Sequence, residues 1–301
     1  MELSKVVTDI RVNWAISDAK RDEGLTTPED VLRMDDISYG PYGEENRMDI
    51  YMPKGTTKPL PTIVNIHGGA WVYGSKEIYQ YYCMALARRG FTVVNMNYRL
   101  APETKFPGAL EDINRVLCFV AEHGDDYFAD KDNVILVGDS AGAQLASHYA
   151  TIFTNPEFAK LFAWKLPEIT VRVVGLNCGI YNMREALEKK NVETIEEYLG
   201  TVKESFSENF PKQLDVWNYM NSDFPPAFIT TSEHDFLKDY AKPMYEHLHA
   251  LGVPCELRKY GSLDQPEIAH VFHVNCKLEE AKRCNDEECA FFKRFIKYYG
   301  V

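Results

Sequence analysis

The chain has no apolar run approaching the roughly 20 residues that cross a bilayer. Its first residues, Met1-Glu2-Leu3-Ser4-Lys5-Val6-Val7, show no basic stretch leading into an apolar one. No secretory leader is expected, which points to the cytoplasm. Positive charge is in deficit: 33 Lys and Arg against 45 Asp and Glu give a formal charge of −12. Such a surface repels phosphate backbones and anionic lipid, so no nucleic-acid and no membrane partner is expected. No Cys-x-x-Cys pair occurs, and 7 scattered cysteines, an odd number, read as free thiols. Cys276, Cys284 and Cys289 cluster near His270 and His273, but at gaps foreign to zinc sites. The expectation is no metal, with the three cysteines on one C-terminal helix. Repeats and low-complexity tracts are also missing.

What the 301 residues do hold is apolar: 45% hydrophobic and 13% aromatic, enough for a sizeable core. Eight short extended runs are legible, near 37–40, 46–52, 62–66, 91–96, 134–137, 171–176, 227–231 and 255–260. Met48, Ile50 and Met52 alternate with polar neighbours, as in a half-buried strand. Most later runs are continuously apolar, as in strands covered on both faces. Helix-length segments (77–89, 108–123, 141–154, 239–251 and 277–299) separate most of them. That alternation predicts a mostly parallel eight-stranded α/β sheet with helices on both faces and an antiparallel first edge. Residues 181–223 contain no strand-like run and are too long for a plain loop. They read as a helical cap insertion, joined by an N-terminal cap segment, 1–35, in which Thr26-Thr27-Pro28-Glu29-Asp30 carries a helix-start signal. The catalytic core would then be 36–180 and 224–301.

Gly138-Asp139-Ser140-Ala141-Gly142 follows the run 134–137 and opens a helix-like segment. A nucleophilic serine needs this strand–turn–helix setting, because the sharp turn exposes Oγ and small residues let strand and helix pass closely. His67-Gly68-Gly69-Ala70-Trp71 follows the run 62–66 and has the form of an oxyanion loop. The donors would be the amides of Gly69, Ala70 and Ala141, with His67 bracing the loop. A serine nucleophile also needs a base and an orienting carboxylate, in the order Ser, Asp or Glu, His. After 227–231, Asp235 is the chosen acid and Glu233 the alternative, while Asp239 reads as a helix N-cap. After 255–260, His270 and His273 both qualify as the base. Trp71, Tyr73 and Asp139 are candidate pocket residues, and Tyr79, Tyr81 and Tyr82 open the next helix.

Together these elements resemble an α/β-hydrolase of the hormone-sensitive-lipase-like carboxylesterase family. His67-Gly68-Gly69-Ala70-Trp71 is similar to its His-Gly-Gly-Gly motif, and residues 138–142 match its Gly-Asp-Ser-Ala-Gly elbow. Tyr98-Arg99-Leu100-Ala101-Pro102-Glu103, Phe106-Pro107 and Leu110-Glu111-Asp112 match a further conserved stretch, and Asp235 to Asp239 its Asp-x-Leu-x-Asp segment. The family's His-x-Phe corresponds to His270-Val271-Phe272, which selects His270. Two departures stand out: Ala70 replaces the last glycine, and Val271 replaces the glycine usual after the histidine. The resemblance implies a serine carboxylesterase acting through an acyl-enzyme on short acyl esters, acetyl to about hexanoyl. An acetylated carbohydrate is one candidate. No cofactor is implied; the partner is a small-molecule ester, and a homodimer is an assembly to test for. A neutral His270 must take the proton, so activity should rise with pH. The rivals are an amidase or peptidase of the same fold and a non-enzymatic ligand-binding module, which in this family loses the histidine.

Overall fold

The computed structural model describes residues 3–188, 193–200 and 211–297. The N-terminal half runs α1 (Lys5–Asp22), β1 (Val31–Ser38), β2 (Arg47–Pro53), β3 (Leu60–Ile66), α2 (Gln80–Ala87), β4 (Thr92–Met96) and α3 (Gly108–His123). It continues through β5 (Ala129–Asp139), α4 (Ala141–Thr154), α5 (Pro156–Ala159) and β6 (Val171–Asn177). Next come α6 (Met183–Glu188), α7 (Glu193–Leu199), α8 (Val216–Tyr219), β7 (Ala227–Ser232), α9 (Lys238–Ala250), β8 (Cys255–Tyr260) and α10 (Glu279–Lys293). The eight strands form one sheet in the order β1-β2-β4-β3-β5-β6-β7-β8. The β1–β2 and β2–β4 pairs are antiparallel, and β4 through β8 are parallel. This is the α/β-hydrolase architecture, with the first edge antiparallel because no α-helix crossover separates β1, β2 and β3.

Burial follows from covering both faces. Val64 and Leu136 face one cluster with α3 and α4, while Ile63, Ile135 and Phe228 face another with α2 and α10. Fully burying a side chain of this size is worth about 1.5–3 kcal/mol. Helix α4 runs through the protein, buried from Ala141 to Ile152.

Several sequence expectations shift. Thr26 to Asp30 start no helix; Val31 N–H closes a turn on Pro28 O, and the chain enters β1 five residues before the expected core boundary at 36. β1 was hard to read because its register slips between Met34 and Ile37, with Asp36 at φ 59°. The helix of the N-terminal segment is α1, capped by Ser4, whose Oγ accepts from Val7 N–H. Asp239 is not the cap of α9 but lies inside its first turn, where a negative charge suits the helix dipole. The three C-terminal cysteines do not share a helix: Cys284 and Cys289 are on α10, whereas Cys276 precedes it. In the expected cap, 181–223, the described parts are α6, α7, α8 and a short 3-10 turn. Residues 189–192 and 201–210, including Lys189 and Lys190, lie outside the described residues, as does the end of the expected helix 277–299.

Candidate active site

The elbow sits where β5 meets α4, at the carboxyl edge of the sheet. Ser140 has φ 53° and ψ −119°, a conformation sterically costly for a residue with a Cβ. Its neighbours make the turn feasible: a Cβ on Gly138 would strike Gly142 O, and one on Gly142 would strike Ile66 O. Strain at Ser140 therefore comes from backbone packed too closely to relax.

Three side chains converge from the segments that follow β5, β7 and β8. Ser140 Oγ lies 2.9 Å from His270 Nε2, and His270 Nδ1 lies 2.7 Å from Asp235 Oδ1. With the proton on Nδ1, the ring donates to Asp235 and accepts from the serine hydroxyl. Asp235, 2% exposed, also accepts from Leu237 N–H at 2.9 Å and Thr231 Oγ1 at 2.8 Å. Burial pushes its pKa up, but the His270 bond and charge, with those two donors, outweigh it and hold the carboxyl below its usual range. The alternatives point elsewhere. Glu233 binds Lys238 and Lys259. His273 is fully enclosed, neither ring nitrogen has a partner among the described residues, and burial holds it neutral down to about 3. Val271 has φ 52°, which explains why glycine is the usual residue there.

The loop after β3 is wound through three successive left-handed residues, Gly69, Ala70 and Trp71. Gly68 N–H is committed to Asp139 Oδ1 and Tyr79 OH, both at 3.0 Å. Among the described residues the amides of Gly69 and Ala70 have no acceptor, and Ala141 opens α4, whose first-turn amides have none within the helix. His67 braces the loop: its ring stacks on Tyr98 at 4.1 Å, and Tyr98 OH donates to His67 O. Asp139 is buried, and that burial raises its pKa to about 6 against the bonds from Tyr79 and Gly68 and the charge of His270.

Two cavities meet at Ser140. The larger, about 790 Å³, is lined by Trp71, Ala70 and Ala141 with Val6, Ile10 and Ile195. The smaller, about 260 Å³, is lined by Tyr73, Tyr79, Asp139 and His270 with residues of α1. Trp71 is fixed by a bond from Nε1 to Gln144 and by stacking on Tyr198; Tyr82 is core rather than lining. Sequence reading missed Phe236, 67% exposed, whose ring lies 4.2 Å from that of His270. It also missed Trp14, Asp18 and Arg21 on α1. An apolar residue beside the acid on an exposed loop was the signal for Phe236; the α1 residues gave none. The one grouping of metal-type donors among the described residues is Cys178, Asp235 and His270. Asp235 and His270 are engaged with each other, and burial raises the Cys178 thiol well above its usual range, leaving it protonated and a poor ligand.

The structure thus brings a serine of strained backbone, an imidazole, a buried carboxylate and two acceptor-free amides together at one edge of an α/β-hydrolase sheet. Comparison with known proteins gives the family. The BD-FAE family model matches residues 48–245. An acetyl esterase of Salmonella paratyphi B is 26% identical over 269 residues, covering 85% of this chain and 78% of the relative. The crystal structure of Esterase B from Lactobacillus rhamnosis, inhibited with a C6-C4 SN3 compound, superposes with a TM-score of 0.86 at 25% identity, covering 97% of each chain. The thermophilic carboxylesterase EstE1, from a metagenomic library, shares the fold at TM-score 0.74 and 23% identity, covering 98% of this chain and all of the other. The chain belongs to the BD-FAE family, within the hormone-sensitive-lipase-like carboxylesterases, and is a carboxylic ester hydrolase. Among the described residues no helix is long and apolar enough to cross a membrane.

Proposed function

We propose that this protein hydrolyses short-chain carboxylic esters, acetyl to about hexanoyl, through an acyl-enzyme on Ser140, and that it works in the cytoplasm. The observation that carries this reading is the unbroken chain Ser140–His270–Asp235 beside the Gly69 and Ala70 amides, which have no acceptor among the described residues. Ser140 Oγ attacks the ester carbonyl carbon while its proton passes to His270 Nε2. Asp235 holds the Nδ1 proton and stabilises the imidazolium. The carbonyl oxygen, now negative, is met by the amides of Gly69, Ala70 and Ala141, each commonly worth roughly 10²–10³ in turnover. Collapse breaks the bond to the alcohol, whose oxygen takes the proton from Nε2; water then repeats the sequence and frees the acid. The short acyl range draws on the acetyl esterase relative and on the C6-C4 inhibitor of Esterase B. Helix α1 and the segment 181–223 form the cap in this reading, since Val6, Ile10 and Ile195 wall the larger cavity.

Turnover of p-nitrophenyl acetate, butyrate and octanoate by wild type and Ser140→Ala tests it. Activity favouring acetate or butyrate, and lost with the serine, is expected. Equal rates for the two proteins would leave only a binding pocket.

A further inference from the structure

The two cavities at Ser140 differ in chemistry, and proton transfer decides which half of the ester enters each. The alcohol oxygen must take its proton from His270 Nε2 as it leaves, so the alcohol departs on the imidazole side. His270 and Val271 line the smaller cavity and not the larger. The larger one, walled by Val6, Ile10, Ile195 and Leu237 with Glu193 and Asp239 also on its lining, is left for the acyl chain. Resting on the ester reading above, we propose that the smaller cavity is the alcohol subsite and that Ser17 and Asp18 of α1 select alcohols bearing further hydroxyl groups.

Asp18 accepts from Arg21 Nη1 at 2.8 Å on Oδ1 and from Tyr73 OH at 2.7 Å on Oδ2. A carboxylate offers about four lone-pair sites, so roughly two remain for a ligand. Burial raises the Asp18 pKa, so another donor would be favourable there. The Ser17 hydroxyl lines the same cavity and has no partner among the described residues. Arg21 has little left to give: Nε and Nη2 are taken by Asp22, and Nη2 also by Ile78 O. Asp18, Asp22 and Asp139 thus outnumber the single guanidinium, which disfavours an anionic alcohol. At about 260 Å³ the cavity accepts several heavy atoms, given roughly 30 Å³ per water in the liquid.

The test holds the acyl group constant and varies the alcohol: kcat/KM for glycerol 1-butyrate, n-propyl butyrate and butyrylcholine, with p-nitrophenyl butyrate as the general ester. Wild type should favour the glyceryl over the propyl ester by about tenfold, the worth of one or two hydrogen bonds. That ratio should fall towards one in Asp18→Leu and by about threefold in Ser17→Ala, a change too small to disturb α1. An equal wild-type rate for glyceryl and propyl esters, faster butyrylcholine, or a ratio unchanged in both variants overturns the proposal. Failure to cleave even p-nitrophenyl butyrate overturns the ester reading beneath it.

Discussion

At the scale of single residues, the motif-bearing positions were readable because each lies in the segment that follows a strand. Ser140, Asp235 and His270 follow β5, β7 and β8, and a glycine-rich or polar loop after an apolar run is visible in one dimension. Choosing between His270 and His273 needed a resemblance, because three residues of spacing carry no direction; the structure separates them by partner and burial. His270→Ala should reduce kcat on p-nitrophenyl butyrate by roughly 10⁴–10⁶-fold, the range for removing the base of such a triad. His273→Ala should instead lower unfolding free energy by about 2–4 kcal/mol, as expected for a cavity in a packed core, and keep turnover near wild type. Steady-state rates and urea unfolding on both variants check this; a dead, stable His273→Ala would reverse the assignment. Contacts such as Phe236 on His270 or Tyr73 on Asp18 could not be read, since they depend on how loops and α1 fold back over the site.

Elements were legible where pattern and period agreed. Helices α3 and α4 run where the helix-length segments between apolar runs placed them, and the apolar runs of β3 to β7 stand as strands. β1 was obscured because the Asp35-Asp36 irregularity breaks its alternation. Helix α1 buries only Val7, so no apolar face announced where it docks. Polar anchors hold it instead. Arg11 donates to Val72 O at 2.8 Å and Ala101 O at 3.0 Å, and pairs with both oxygens of Glu103. Val72 follows the oxyanion loop, while Ala101 and Glu103 belong to the Tyr98–Glu103 stretch, so that motif both supports the loop through Tyr98 and moors α1. Arg11→Ala should cost about 1–3 kcal/mol in the attachment of α1. Because α1 walls both cavities, KM for p-nitrophenyl butyrate should rise severalfold with a smaller change in kcat. Proteolysis between α1 and β1 should also accelerate; an unchanged KM and cleavage rate would mean that α1 is held by other contacts.

At the scale of the whole molecule, buried titratable groups oppose one another. Burial keeps His67 neutral down to about 4, and His148 and His273 down to about 3. Below about pH 6.5 the unfolded chain takes up protons these folded histidines cannot, so stability falls as pH falls. Burial acts oppositely on Asp139, raised to about 6, and Glu288, raised to about 7. Here the folded state binds more protons between their unfolded values near 4 and those raised values, so stability falls as pH rises. The two trends offset each other in mildly acidic solution. Glu288 reaches from α10 to Asn177 Nδ2 at 2.9 Å, and Asn177 O accepts Ser140 N–H, so this carboxyl sits directly behind the elbow. Glu288→Gln keeps the shape and an acceptor for Asn177 but has no proton to lose. Its stability relative to wild type should therefore climb between about pH 4.5 and 7 and then level, gaining about 3 kcal/mol. Urea unfolding at pH 5 and pH 8 measures this directly. An equal difference at the two pH values would mean that Glu288 ionises as readily in the fold as in the open chain, leaving Asp139 as the carboxyl that opposes the histidines on the acid side of the stability curve.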